Sequence, residues 1–304
     1  MVALTLSLSA CDEPTPAGVA AISPANAPTS TSDDWSSYWS ESEAVGGMQG
    51  VNVNWDADGA GQIPSAILST EGSGLMPVVV LGIDSAVGNP DAETALRSML
   101  ETLVTHHTIL YLGLGNEIDR NPLDGRVQLI NDLTDFIHSL SSPTTVFTVF
   151  QYEHMLSQDD PAELVASVPN VDLVAFTSYP FMRYSSPDQI PEDYYAPIAA
   201  WTAKPIAFTE VAWPSRMNFP GYPTIHGSEG DQVSFINLFH GTLLAGLDVR
   251  FTDWYSLHDT ADWYESEPLT SFKDVFASCG LMRNGTDEKP ALAAWSALNS
   301  ASVG

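Results

Sequence analysis

Residues 75–83 read LMPVVVLGI, a continuous apolar run rich in β-branched side chains. Such a run suits a strand buried on both faces, as in a parallel sheet, rather than a strand with one wet face. PDAETALRSMLETLVTHH (90–107) follows, with apolar residues at helical spacing and acids in the first turn, where they suit the helix dipole. TILYLGLGNE (108–117) then returns to strand character. The alternation continues to the end of the chain. A helix near 124–140 precedes a strand over TTVFTVF (144–150), and a helix near 160–167 precedes VDLVAFTSYP (171–180). A helix in the 190s precedes KPIAFTE (204–210), a helix near 229–246 precedes VRFTDWYSL (249–257), and PALAAWSAL (290–298) closes as a helix. Upstream, GVAAIS (18–23) and the alternating VNVNWD (51–56) read as the first two strands, with a helix around Asp34 to Val45 between them.

Strands separated by helix-sized intervals imply a parallel sheet. Eight such units in 304 residues, with no internal repeat and no long linker, predict a single-domain (β/α)8 TIM barrel over residues 18–304. An open doubly wound sheet would carry a glycine-rich phosphate turn after its first strand, and none stands there.

The first residues read differently. VALTLSLSA (2–10) is a short apolar stretch ending in small residues, and after Cys11 the segment DEPTPAG is polar and proline-rich. Such a stretch is too short to cross a bilayer but matches the end of a signal h-region. Leu8-Ser9-Ala10-Cys11 resembles a bacterial lipobox. The expectation is a signal and lipobox remnant over 1–11 and a flexible tether over 12–17. A lipid anchor at Cys11 would follow, with the protein at the bacterial cell envelope; secretion is the alternative. Cys279 then has no partner and reads as a buried small hydrophobe. Two cysteines supply neither a disulfide scaffold nor a metal site.

Charge narrows the partners. There are 38 Asp and Glu against 10 Lys and Arg, a net of −28. That field repels phosphate backbones, anionic lipid surfaces and polyanionic substrates, so no nucleic acid is expected as a partner.

In a barrel of this kind the chemistry sits at the C-terminal ends of the strands. Those ends carry Trp55 and Asp56 after the second strand, Asp84 after the third, and Asn116 and Glu117 after the fourth. Gln151, Tyr152, Glu153 and His154 follow the fifth, Tyr179 the sixth, Glu210 and Trp213 the seventh, and Trp254 and His258 the eighth. Glu117 and Glu210, from the fourth and seventh strands, can face each other across the mouth. Hydrolysis of a glycosidic bond with retention needs such a pair about 5–5.5 Å apart, one protonated to serve the leaving oxygen and one ionised to attack the anomeric carbon. The aromatic rings suit the apolar C–H faces of pyranoses. No G-x-S-x-G elbow, thiol partner or H-x-E-x-H spacing is visible, so neither a serine or cysteine nucleophile nor a metal or other cofactor is expected. Asp58, Asp119, Asp159, Asp160, Asp259 and Asp262 read as a solvated acidic rim, with Asp119 and Arg120 as an ion pair on it. Trp295 reads as core; Trp55, Trp213, Trp254 and Trp263 read as sugar platforms.

LGNE at the fourth strand, FTEVAWPS at the seventh and SYPF at the sixth resemble the retaining β-glycosidases of glycoside hydrolase clan A, and the resemblance covers nearly the whole chain after residue 17. FTEVAWPS and YPF are similar to the β-1,3-glucanase family, GNEID to the endo-β-1,4-galactanase family, and GLMRNGTDEKPALAAW to the last βα segment of several clan members. Val211-Ala212 and TDWYSLHD depart from both families. The resemblance implies Glu117 as general acid/base and Glu210 as nucleophile. It implies Asn116 on the sugar 2-OH, Tyr179 donating to Glu210, and Trp254 as the floor under the reacting sugar, with Trp55, Trp213 and His258 as further substrate contacts. The expected activity is endo-hydrolysis of a neutral β-linked oligo- or polysaccharide by a monomer. A transglycosylase using the same residues and a non-catalytic glycan-binding lipoprotein are the alternatives.

Overall fold

Eight parallel strands close on themselves in chain order. They are β1 (Ala17–Ala21), β2 (Met48–Asn54), β3 (Met76–Gly82), β4 (Tyr111–Leu114), β5 (Thr145–Gln151), β6 (Leu173–Ser178), β7 (Ile206–Val211) and β8 (Val249–Trp254), with β8 pairing back onto β1. This computed structural model describes residues 17–21, 45, 48–55, 63, 65–68, 76–107, 109–120, 122–123, 125–216, 225–259, 273–283 and 287–300. The expected leader with Cys11, most of the tether, the helix around Asp34 to Val45, and Asp58, Asp262 and Trp263 lie outside these residues.

The helices are α1 (Ser65–Leu68), α2 (Pro90–His106), α3 (Arg126–Ser139), α4 (Tyr152–Met155), α5 (Pro161–Ala166), α6 (Ile198–Trp201), α7 (Glu229–Leu238), α8 (Lys273–Phe276) and α9 (Pro290–Ser300). The start of α2 follows from its sequence. The Asn89 side chain accepts from the Ala92 amide, Pro90 opens the helix, and Asp91 and Glu93 stand in the first turn. The helix expected in the 190s is only the four-residue α6, because Pro191 and Pro197 interrupt its approach. The helix expected to run to 246 ends as a π-helical turn over Phe239–Leu243.

The barrel interior is filled, not open. Val78, Val80, Phe147, Val149, Leu173, Ala175, Ala207 and Phe251 form one buried cluster with Tyr111 against it. These are alternate residues of successive strands, as the period of two requires. Their neighbours point outward to the helices: Phe208 packs on Phe239, and Phe176 on Trp201.

One irregularity decides where the chemistry goes. Phe176 pairs with Phe208, but the next residue of β6, Thr177, pairs with Glu210. Thr209 is therefore an extra residue on β7, a β-bulge of the kind that re-aims a side chain. By strict alternation Glu210 would share the outward face of Phe208. The bulge turns it to the inner face beside Thr177, one step above Ala175.

Candidate active site

β4 ends in a sharp turn. Gly115 has φ +82°, and a Cβ there would lie 2.6 Å from Ile118 Cγ2, so the position is closed to a side chain on both counts. Glu117 itself sits at φ +45°, a conformation that costs a non-glycine residue about 1–2 kcal/mol. The turn leaves Asn116 exposed and brings the half-buried Glu117 over the barrel. Its Oε1 accepts from Thr177 Oγ1 at 2.7 Å, and Oε2 lies 3.6 Å from the Arg120 guanidinium. Burial raises the Glu117 carboxyl above its ordinary range; the Thr177 hydroxyl and the Arg120 charge oppose that rise.

Thr177 is thus the joint of the site. It donates to Glu117 and stands in register with Glu210. Glu210 is 6% exposed, and its Oε2 accepts from the Tyr179 hydroxyl. Burial, followed by the Glu210 charge, pushes the Tyr179 hydroxyl well above its usual value, so it remains a donor.

Asp253 enters from β8. It is fully buried, and neither carboxyl oxygen has a hydrogen-bond partner among the described residues. Burial and then the nearby Glu210 charge hold its carboxyl well above the usual range. Above about pH 4 the unfolded carboxyl is ionised while the folded one keeps its proton. Folding then takes up a proton, and stability falls as pH rises until the folded group ionises. Asp253→Asn is expected to flatten this slope and to be the more stable protein at about pH 8, as read from urea denaturation at about pH 5 and about pH 8. An unaltered slope would show that Asp253 is ionised in the fold.

The aromatic assignments change. Trp254 does not face the mouth. With Phe251 in the barrel interior, alternation sends Trp254 outward, where it lies between Phe235 and Trp295 and donates Nε1 to the Cys279 carbonyl at 2.7 Å. Trp213 is likewise fully buried, against Phe181 and Phe235, and Trp55 is 4% exposed. A sugar platform needs an open ring face, which Trp213 and Trp254 do not have. A half-buried ring beside Tyr179 is instead Tyr255, 6.1 Å from it and edge-on. His258 lies four residues beyond β8, half-buried, with its backbone bridged to Met282.

The acidic rim also changes. The Asp119 side chain is wholly buried and accepts from the Gln151 amide at 2.8 Å, and it contacts His154 Nδ1 at 2.7 Å. Arg120 faces Glu117 rather than Asp119. Asp259 forms a 2.6 Å ion pair with Lys289. Asp160 caps α5 through the Glu163 amide, and Asp159 is exposed. Cys279 is a buried free cysteine and Trp295 is buried, in the places expected of them.

Thr177, Asp253 and Tyr255 were not among the candidates. Asp253 and Tyr255 were available in principle, since counting inward by twos from Phe251 reaches both. Thr177 needed the register across β7. Among the described residues no group of three or more His, Cys, Asp or Glu side chains is placed to hold a metal ion.

No protein-family model and no curated protein matches the chain. Solved structures do. A GH5_18 protein from Streptomyces cattleya, in complex with Manb1-4GlcNAc, is similar over 94% of this chain and 80% of its own, with TM-score 0.70 and 16% identity. An endo-laminarinase from Formosa Hel1_33_131 is similar over 95% of this chain and 87% of its own, with TM-score 0.64 and 13% identity. A Bifidobacterium dentium β-glucuronidase complexed with coumarin-3-O-glucuronide gives TM-score 0.66 at 12% identity over 93% of this chain, which spans 46% of that enzyme. At these identities the likeness is one of fold: the chain has the parallel barrel of these structures.

Proposed function

We propose that the protein is a retaining glycoside hydrolase acting within a neutral β-linked polysaccharide of the β-1,3-glucan or β-1,4-galactan type. The observation that carries this is that Glu117 and Glu210 meet at the end of β6: the Glu117 carboxylate accepts from Thr177, while Glu210 is paired in register with Thr177 and its carboxylate accepts from Tyr179. Glu117, with its carboxyl raised by burial, gives its proton to the leaving glycosidic oxygen. Glu210 attacks the anomeric carbon as that bond breaks, forming a glycosyl ester. Tyr179 donates to Glu210, which favours its ionised form. Glu117, now ionised, takes a proton from water, and the water displaces Glu210. Asn116, exposed beside Glu117, meets the sugar 2-OH in this reading. Tyr255 takes over the platform role first assigned to Trp254.

Glu153 is also buried and could be paired with Glu210 on burial alone. Its oxygens, however, already accept four donors, and a carboxylate so engaged is poorly placed to hand a proton to a substrate. The field of a chain of net −28 favours a neutral sugar over a uronate.

The test is digestion of laminarin, galactan, mannan, xylan and mixed-linkage glucan, with sizing of products and anomeric NMR of the first product. Oligosaccharides from laminarin or galactan, released first as the β-anomer, are expected. Release from none of the five, or an α-anomer first, would overturn the reading.

A further inference from the structure

The end of β5 braces both halves of the site. Gln151 is the last residue of β5, and its amide donates to Asp119, two residues beyond Glu117. Its side chain accepts from the His154 amide and donates to Glu153 Oε2, which holds Glu153 at the start of α4. From there the Glu153 carboxylate reaches β6. Its Oε1 accepts from Ser178 Oγ at 2.7 Å, from the Tyr179 amide at 3.0 Å and from the Tyr194 hydroxyl at 3.0 Å. Arg183 donates to the Glu153 carbonyl at 2.9 Å.

Tyr179 is therefore tied at both ends. Its amide is on Glu153 and its hydroxyl on Glu210, while Phe181 and Phe276 pack against its ring at 5.7 and 4.8 Å. A carboxylate this deep carries a desolvation cost that a hydrocarbon side chain would avoid. The donors converging on it are the main chain and side chains that aim Tyr179. Resting on the hydrolase reading, we infer that Glu153 is a positioning residue: it fixes the Tyr179 backbone so that the hydroxyl holds Glu210 in line with the anomeric carbon.

A double-mutant cycle on laminarin and galactan tests this. In Glu153→Gln the new amide group faces the Gln151 amide donor, so the network must shift. A displacement of about 1 Å in a reacting group costs about 100-fold in rate. Glu153→Gln is expected to lower kcat by about 10- to 100-fold with KM within about twofold of wild type. Tyr179→Phe should lower kcat in the same way, and the double variant should be no slower than the slower single, since the two act through one contact. Losses that multiply, or a change confined to KM, would overturn the inference. If Glu153→Gln does not fold, Tyr194→Phe removes one donor and keeps the carboxyl group, and the same cycle is run with it. If the wild type degrades neither polymer, the hydrolase reading fails on its own, and hydrogen exchange at the Tyr179 amide still decides the tether. Faster exchange in the variant retains the tether, and unaltered exchange removes it.

Discussion

Glu210→Ala is expected to lower hydrolysis by on the order of 10⁴-fold or more, the scale of losing a covalent nucleophile. Binding of the polysaccharide should survive, because Asn116, Tyr255 and Glu117 are untouched. The variant should also be no less stable than wild type. Glu210 lies beside Asp253, a buried acid whose carboxyl its charge helps to raise, so alanine removes one of two neighbouring carboxyl groups from a dry site. The Tyr179 hydroxyl loses its acceptor, which offsets part of that gain. A small anion can use the vacated space: with sodium azide the variant should recover turnover and release an α-glycosyl azide, since azide attacks from the face Glu210 held. Turnover, affinity electrophoresis in the polysaccharide and thermal melting check the three parts. Hydrolysis at the wild-type rate would remove Glu210 from the mechanism, and loss of binding together with activity would favour a glycan-binding role for the residue.

The largest expected effect on stability is at Lys289. Its side chain is 1% exposed, and Nζ donates to Asp259 at 2.6 Å, Ser215 Oγ at 2.9 Å and the Gly280 carbonyl at 2.8 Å. These groups come from the loops after β7 and β8 and from the turn after α8, and Lys289 directly precedes α9. Burial lowers the Lys289 ammonium pKa and raises that of the Asp259 carboxyl, and the ion pair opposes both shifts. Lys289→Met leaves Asp259 buried without its cation, a change that costs about 3–5 kcal/mol in comparable pairs. Replacing both residues, as in Lys289→Met with Asp259→Leu, should recover part of the loss but not all, because the Gly280 and Ser278 carbonyls still lose a donor. Urea denaturation of the two singles and the double gives the coupling directly. A loss below about 1 kcal/mol for Lys289→Met would mean that water reaches the pair.

The architecture was legible because it depends on local pattern. Buried parallel strands must be apolar on both faces, so VVVL, TVFTVF and LVAF announce themselves without reference to any neighbour. Chain order then orders the barrel, and strand ends nominate Glu117 and Glu210 without a register being known. The direction of a side chain at a strand end is another matter. Trp254 read as the floor of a sugar site because the clan A resemblance implied one there, yet a single step of alternation makes it outer core and points Asp253 and Tyr255 inward.

Burial of charge was the other thing hidden. Asp119 and Asp259 read as wet because acids usually are; what buries them is a partner far along the chain, His154 for the one and Lys289 for the other. The sequence by itself determined the barrel, its strand order and the two glutamates at the C-terminal ends of the fourth and seventh strands, since periodicity and order are properties of the chain alone. The tertiary structure decided that Glu210 faces inward, through the extra residue at Thr209, and that Thr177 links it to Glu117. Register and bulges arise between strands, and no single strand carries them.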